Sequence, residues 1–238
     1  MSTIALVGPD GAGKSTIGRK LEQISPIPVK YIYMGVNLES SNLVLPTTRL
    51  LLEIKRARGG RPDIAVGPHD ASKARPRPKG LIKQVAAGLK SGLRLTNLIA
   101  EEWFRQTVVW YYTLRGYHVL QDRHFFFDYY AHDIANDDPH RPLSSRIHGF
   151  MLNKLYPKPD FVIFLDAPTE VLFARKPEGT LAALEERRQE YIRLRDVVKA
   201  FAVVDVSQPV DEVAREISEL IQNLHHNKRG FELGRTNG

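Results

Sequence analysis

The chain has 238 residues, of which 42% are hydrophobic, enough to build the core of one α/β domain with an insertion. It has no cysteine, which excludes a disulfide frame and a thiolate metal site and suits a reducing compartment. The net charge of +7 is concentrated: Arg49 to Arg94 holds twelve Lys/Arg against three Asp/Glu, so the remainder is slightly acidic and no nucleic-acid partner is expected.

The first element is Thr3-Ile4-Ala5-Leu6-Val7, apolar enough for a buried parallel strand. The N-terminus runs straight into it, so no signal peptide is expected. No apolar run approaches the roughly 20 residues that span a bilayer, and the expected compartment is the cytoplasm. Residues 8–16 then read Gly-Pro-Asp-Gly-Ala-Gly-Lys-Ser-Thr, the G-x-x-x-x-G-K-[ST] pattern of a phosphate-binding loop. Gly8, Asp10, Gly11, Ala12, Gly13 and Thr16 form the loop around an anion, whose charge its inward N–H groups receive. Lys14 adds a point charge on the terminal phosphates, and the Ser15 hydroxyl offers a Mg²⁺ position. Ile17 to Ile24 can open a helix whose N-terminal end faces the same phosphates. ATP and Mg²⁺ are therefore the expected ligands.

Strands are expected at 3–8, 29–34, 117–121, 160–165 and 201–206, each rich in β-branched or aromatic residues. Helical patterns between most of them argue βαβ units, hence a five-stranded parallel sheet flanked by helices in an α/β, three-layer P-loop NTPase fold. Ligands of such sheets bind at the carboxyl ends of the strands, so Asp10, Asp122 and Asp166 belong near the site. One domain is expected over 1–224, with a basic insertion at 35–94, a lid at 173–195 and a frayed tail at 225–238.

Within the insertion, 35–80 is the least regular part. Arg-Gly-Gly-Arg-Pro-Asp (58–63) and Lys-Ala-Arg-Pro-Arg-Pro-Lys-Gly (73–80) read as basic loops. Residues 81–115 read as helix, in one or two pieces around Gly88 and Gly92. From Lys79 to Arg94, Leu81, Ile82, Val85, Leu89 and Leu93 recur at helical spacing. Such a stripe more often packs on a protein's own core; contact with an anionic membrane is the lesser reading. Trp103, Phe104, Trp110 and Tyr111 read as core, with a homodimer face as the alternative.

Asp122-Arg123 follows the third strand directly. A carboxylate there reaches Mg²⁺ or its water shell across from Ser15, and an arginine there bridges the donor phosphate and the acceptor. The patch Asp137-Asp138-Pro139-His140-Arg141-Pro142, with Asp128, His132 and Asp133 before it, fits no zinc spacing and reads as a capped turn or a loop over the acceptor pocket. The lid segment carries Arg175, Lys176, Arg187, Arg188, Arg193 and Arg195, with Arg175 the leading candidate for a catalytic arginine. Mobile lid arginines exclude water and neutralise charge during phosphoryl transfer.

These residues resemble the thymidylate kinase family of nucleotide kinases. The resemblance is carried by the loop with Asp10 inside it, by Gly116-Tyr-His-Val-Leu-Gln-Asp-Arg123, by Phe164-Leu-Asp-Ala-Pro168 with Glu170 and Arg175-Lys176, and by Val203-Val-Asp-Val-Ser-Gln208. It does not cover about residues 35–94. It implies transfer of the ATP γ-phosphoryl group to a small-molecule acceptor, with catalytic roles for Lys14, Asp122, Arg123 and Arg175, and with Asp10 approaching the acceptor's sugar hydroxyl.

Two departures concern the acceptor. The family's Arg-Glu-Pro-Gly type stretch after the second strand is replaced by Tyr33-Met-Gly-Val-Asn-Leu. The arginine that the family places twenty residues before its Asp-Arg pair falls on Glu102, a carboxylate that would repel a phosphate, with Arg105 one turn later as a substitute. Glu102 and Arg105 are thus candidate substrate contacts, and the acceptor is either a nucleoside monophosphate or a neutral sugar or nucleoside. A nucleotide switch or a regulatory module without turnover is the alternative class. The nearest string to a guanine-reading motif, Asn153-Lys154-Leu155-Tyr156, lacks the required carboxylate.

Overall fold

The apolar run Thr3–Val7 forms β1, and the other expected strands form β2 (Val29–Tyr33), β3 (His118–Asp122), β4 (Phe161–Asp166) and β5 (Phe201–Asp205). The computed structural model describes residues 1–35, 43–57, 59, 81–136, 138 and 141–236. All strands pair in parallel in one sheet of order β2-β3-β1-β4-β5. Central β1 is apolar along its length because both faces are covered. The register sets Leu6 opposite Asp122 and Tyr33 opposite Asp122. The end of β3 therefore lies abreast of the point where β1 enters the glycine loop.

The helices are α1 (Lys14–Ile24), α2 (Pro46–Ala57), α3 (Leu81–Leu114), α4 (Phe125–Asp128), α5 (Leu143–Lys154), α6 (Thr169–Arg175), α7 (Leu181–Arg193) and α8 (Val210–Thr236). A π-helical turn occupies Tyr130–Ile134. The chain divides into two compact units. The first comprises 1–33, 109–124 and 159–238; the second comprises 34–108 and 125–158.

The first unit holds the whole sheet. Ile17 and Leu21 of α1, and Val213, Ala214, Ile217 and Ile221 of α8, share one core with Leu6, Leu120, Ile163 and Val204 of the strands. Each large aliphatic side chain buried there contributes roughly 1.5–3 kcal/mol. The parallel sheet flanked by helices is the α/β P-loop architecture expected.

Two details differ from expectation, and a third decides between alternatives. Within 35–80, Pro46–Ala57 is a helix: Pro46 suits a first helical turn, and Glu101 accepts the N–H of Leu45 just before it, at 3.1 Å. Asn97 Nδ2 also donates to Thr48 Oγ1 at 3.0 Å, tying α3 to α2. Next, of the one or two helical pieces expected, α3 is a single one, unbroken through Gly88 and Gly92. Last, the helix α8 continues past Leu224 to Thr236. Of the two basic loops, all residues but Gly59 lie outside the described residues, as do Asp137, Pro139 and His140. In the apolar stripe of α3, Leu89 and Leu93 are 66% and 65% exposed rather than packed in a core. Trp103 meets Tyr156 edge-on at 5.9 Å, whereas Trp110 and Tyr111 are largely exposed.

Candidate active site

The phosphate loop is shaped by close backbone approach. A Cβ on Gly8 would come within 2.6 Å of the Leu165 carbonyl oxygen of β4, and Gly13 takes φ 77° as the N-cap of α1. No acidic residue occupies the first turn of α1, so its N-terminal N–H groups keep their attraction for an anion. Lys14 is 9% exposed, and its ammonium donates to the carbonyls of Gly8 at 2.7 Å and Pro9 at 2.8 Å. The cation thus sits over the loop it serves.

Asp122 is fully buried at the end of β3. Its Oδ2 accepts from Ser15 Oγ at 2.5 Å and from Tyr31 Oη at 2.7 Å. Its buried Oδ1 has no hydrogen-bond partner among the described residues. A carboxylate oxygen without a donor, next to a hydroxyl that opens a phosphate-loop helix, is what a divalent cation with oxygen ligands requires. Ser15 and Asp122 therefore fit Mg²⁺. Tyr31 did not stand out in the sequence. Its hydroxyl titrates above its usual range, first because of burial and then because of the Asp122 charge, so it remains a neutral donor.

The loop carboxylate collects arginines. Asp10 Oδ2 lies 3.1 Å from Arg187 Nη1, and Asp10 Oδ1 lies 3.5 Å from Arg123 Nη2. Burial alone would raise the Asp10 pKa; the charges of Lys14, Arg123, Lys176 and Arg187 outweigh it and hold the carboxyl below its ordinary value. Arg123 reaches this place with φ 70°, the left-handed backbone that a non-glycine residue adopts at a cost. Its N–H donates to the Leu6 carbonyl at 3.2 Å, which fixes the turn after β3.

Helix α7 is capped by Thr180, whose side chain accepts the Ala183 N–H. Arg188 forks onto Asp166 at the end of β4, Nε to Oδ1 at 2.5 Å and Nη2 to Oδ2 at 2.8 Å. Thr169 also bonds Glu185. With α7 anchored in this way, Arg187 is presented to Asp10. Arg175, the leading sequence candidate, stands exposed at the end of α6, where its charge acts on Asp205. Periodicity could not separate Arg187 from Arg188, because which one faces the loop depends on the rotation of α7 about its axis.

The second unit contains the two candidate acceptor contacts, and both are turned inward. Arg105 is 0% exposed; it donates from Nε to Leu43 O at 3.1 Å, from Nη1 to Met34 O and from Nη2 to Glu101 Oε1 at 2.9 Å. Its guanidinium also lies over the Phe125 ring. Glu102 is 2% exposed and meets His148 Nε2 at 2.8 Å, while His148 Nδ1 meets Asp133 Oδ2 at 2.6 Å. Burial would lower the His148 pKa, but its bonds to Asp133 and Glu102 prevail and raise it to about 9. Burial raises Glu102 above its ordinary value despite the bond from His148. Nearby, Arg141 donates to the Asp133 carbonyl at 2.9 Å, and the Asp138 N–H donates to Asn136 Oδ1 at 2.9 Å, a capped turn.

No protein-family model matches the chain. Two curated archaeal proteins do. One, from Archaeoglobus fulgidus and named "Probable thymidylate kinase", is 31% identical over 121 residues, which cover 48% of this chain and 58% of the relative. The other, from Saccharolobus solfataricus and named "Probable thymidylate kinase 1", is 36% identical over 78 residues, 30% of this chain and 41% of the relative. The chain thus spans less than two thirds of either relative. No helix among the described residues is long and apolar enough to cross a membrane. Loop, strand-end pair and these two similarities point the same way: the chain is similar to proteins named as thymidylate kinases.

Proposed function

We propose that the chain is an ATP-dependent phosphotransferase that moves the γ-phosphoryl group to a small-molecule acceptor, dTMP or another nucleoside monophosphate. The observation that carries this reading is Asp122 Oδ1, without a hydrogen-bond partner among the described residues, beside Ser15 at the mouth of the glycine loop. Mg²⁺, when bound, neutralises charge on the phosphates being separated. Ser15 and Asp122 would hold it. Lys14 and the N–H groups of the loop bind the phosphates. Arg123 and Arg187 supply positive charge where the transferring group carries its negative charge. A new bond forms between an acceptor oxygen and phosphorus while the bond to the ADP oxygen breaks. Asp10, held below its ordinary pKa, stays ionised and accepts a hydrogen bond from the acceptor hydroxyl; it orients more than it takes a proton.

A second reading, transfer to a neutral sugar or nucleoside, is supported by the placement of Arg105. Its guanidinium is buried and bonded to Leu43, Met34 and Glu101, so it offers no cation to a monophosphate. A coupled ATP-consumption assay with Mg²⁺ across dTMP, dUMP, thymidine and a sugar panel separates the two readings. Turnover on dTMP that Arg123→Ala abolishes supports the first. Turnover restricted to unphosphorylated acceptors supports the second. ATP binding with no turnover on any acceptor would leave a nucleotide-binding module instead.

A further inference from the structure

We propose that Tyr31 is a positioning residue for the divalent cation, holding Asp122 by Oδ2 so that Oδ1 is turned to the metal. The proposal rests on the kinase reading of this site. Three observations carry it. First, two hydroxyls converge on the same oxygen, Tyr31 Oη at 2.7 Å and Ser15 Oγ at 2.5 Å, while Oδ1 is left without a donor among the described residues. A carboxylate held at one oxygen cannot rotate freely, and its other oxygen is presented in one direction. Second, the sheet makes the reach natural. Tyr31 pairs with Leu120 and Tyr33 with Asp122, so the phenol extends diagonally across one face of β2 and β3 to the end of its neighbour. Third, α1 leaves room for the ring: a Cβ on Gly18 would collide with Tyr31 Cδ2 and Cε2.

When Ser15 turns its oxygen to a metal, the geometry of its bond to Asp122 changes, whereas Tyr31 coordinates nothing and keeps its grip. The phenol is thus the partner that can hold Asp122 in the same place with and without metal.

The test is Tyr31→Phe, which removes one oxygen and keeps the ring. Mn²⁺ binding is followed by electron paramagnetic resonance in the presence of a non-hydrolysable ATP analogue. Binding of the analogue alone is measured in EDTA, and the melting temperature is recorded. The expected result is Mn²⁺ affinity weakened about ten- to a hundredfold, the value of one hydrogen bond to a charged group, with metal-free nucleotide affinity unchanged. In turnover, the apparent KM for Mg²⁺ rises by the same factor while kcat at saturating Mg²⁺ is recovered. Gly18→Ala, which displaces the ring without removing the hydroxyl, shifts Mn²⁺ affinity in the same direction. Unchanged Mn²⁺ affinity in a Tyr31→Phe protein that binds nucleotide normally would overturn the role of Tyr31 and leave the kinase reading standing. Equal losses with and without metal, accompanied by a lower melting temperature, would make Tyr31 a structural residue only and overturn the proposal. If the unaltered protein binds no Mn²⁺ with the analogue, the kinase reading falls and the proposal with it.

Discussion

Arg187 and Arg188 are consecutive on α7 yet hold different carboxylates: Arg187 lies 3.1 Å from Asp10 of the phosphate loop, and Arg188 forks onto Asp166 at the end of β4. Consecutive helical residues point about 100° apart, so a single helix can be anchored by one arginine while it offers the next. Arg187→Ala should lower kcat about 10²- to 10³-fold with little change in melting temperature, as for loss of one charge-stabilising group. Arg188→Ala should instead lower stability by about 1–3 kcal/mol, the loss of hydrogen bonds to a charged group, and reduce kcat more mildly. Steady-state kinetics and urea unfolding on both variants check this; a larger kcat loss in Arg188→Ala would reverse the assignment.

His148 is clamped between Glu102 and Asp133, with Tyr129 edge-on at 4.7 Å. Its pKa is about 9 in the fold against an ordinary 6.5. A base whose pKa rises on folding stabilises fully below its unfolded value and loses that contribution as pH rises through the folded value. Between pH 6.5 and pH 9.5 the melting temperature should therefore fall by roughly 5–10 °C from this group. His148→Gln should be less stable at neutral pH, because two buried carboxylates are left facing each other, and should lack most of this slope. Melting curves across that range decide it: parallel slopes in the two proteins would mean that His148 does not titrate as the clamp requires.

Arg105 has a structural prediction of its own. Arg105→Met leaves Glu101 buried without its cation and should cost about 3–5 kcal/mol in urea unfolding. Arg105→Lys should recover little, since one ammonium cannot span three acceptors set for a planar fork. A stable Arg105→Met protein with only a raised KM for acceptor would return Arg105 to the substrate site.

Gly88 and Gly92 lie inside α3, where an added Cβ would meet nothing within 4 Å among the described residues. Replacing either with Ala should raise stability by about 0.5–1 kcal/mol, through helix propensity and lower entropy of the unfolded chain. Denaturation midpoints of the two single variants test this. A loss at either position would show that the helix uses that glycine for a close contact.

The strands and the glycine loop were legible because local pattern determines them. β-branched runs bounded by Gly, Pro and Asp produced all five strands, and the register of β1 with β3 then set Asp122 beside the loop. Other features were not legible because they depend on distant partners. Helix α2 was hidden by the basic residues around it; Leu45 and Thr48 are tied by Glu101 and Asn97, roughly fifty residues on. The Tyr31 hydroxyl meets Asp122 ninety-one positions away. Arg105 and Glu102 were placed correctly on a helix, but charge alone does not reveal that the partners of both lie within the protein.

The left-handed backbone at Arg123 has an evolutionary reading. At φ 70° a glycine or asparagine would rest more comfortably than an arginine. A library randomised at this position and selected only for heat resistance should drift towards those residues, while one selected for growth that depends on turnover should return to arginine. The turn after β3 would then mark where durability and activity pull the sequence in opposite directions.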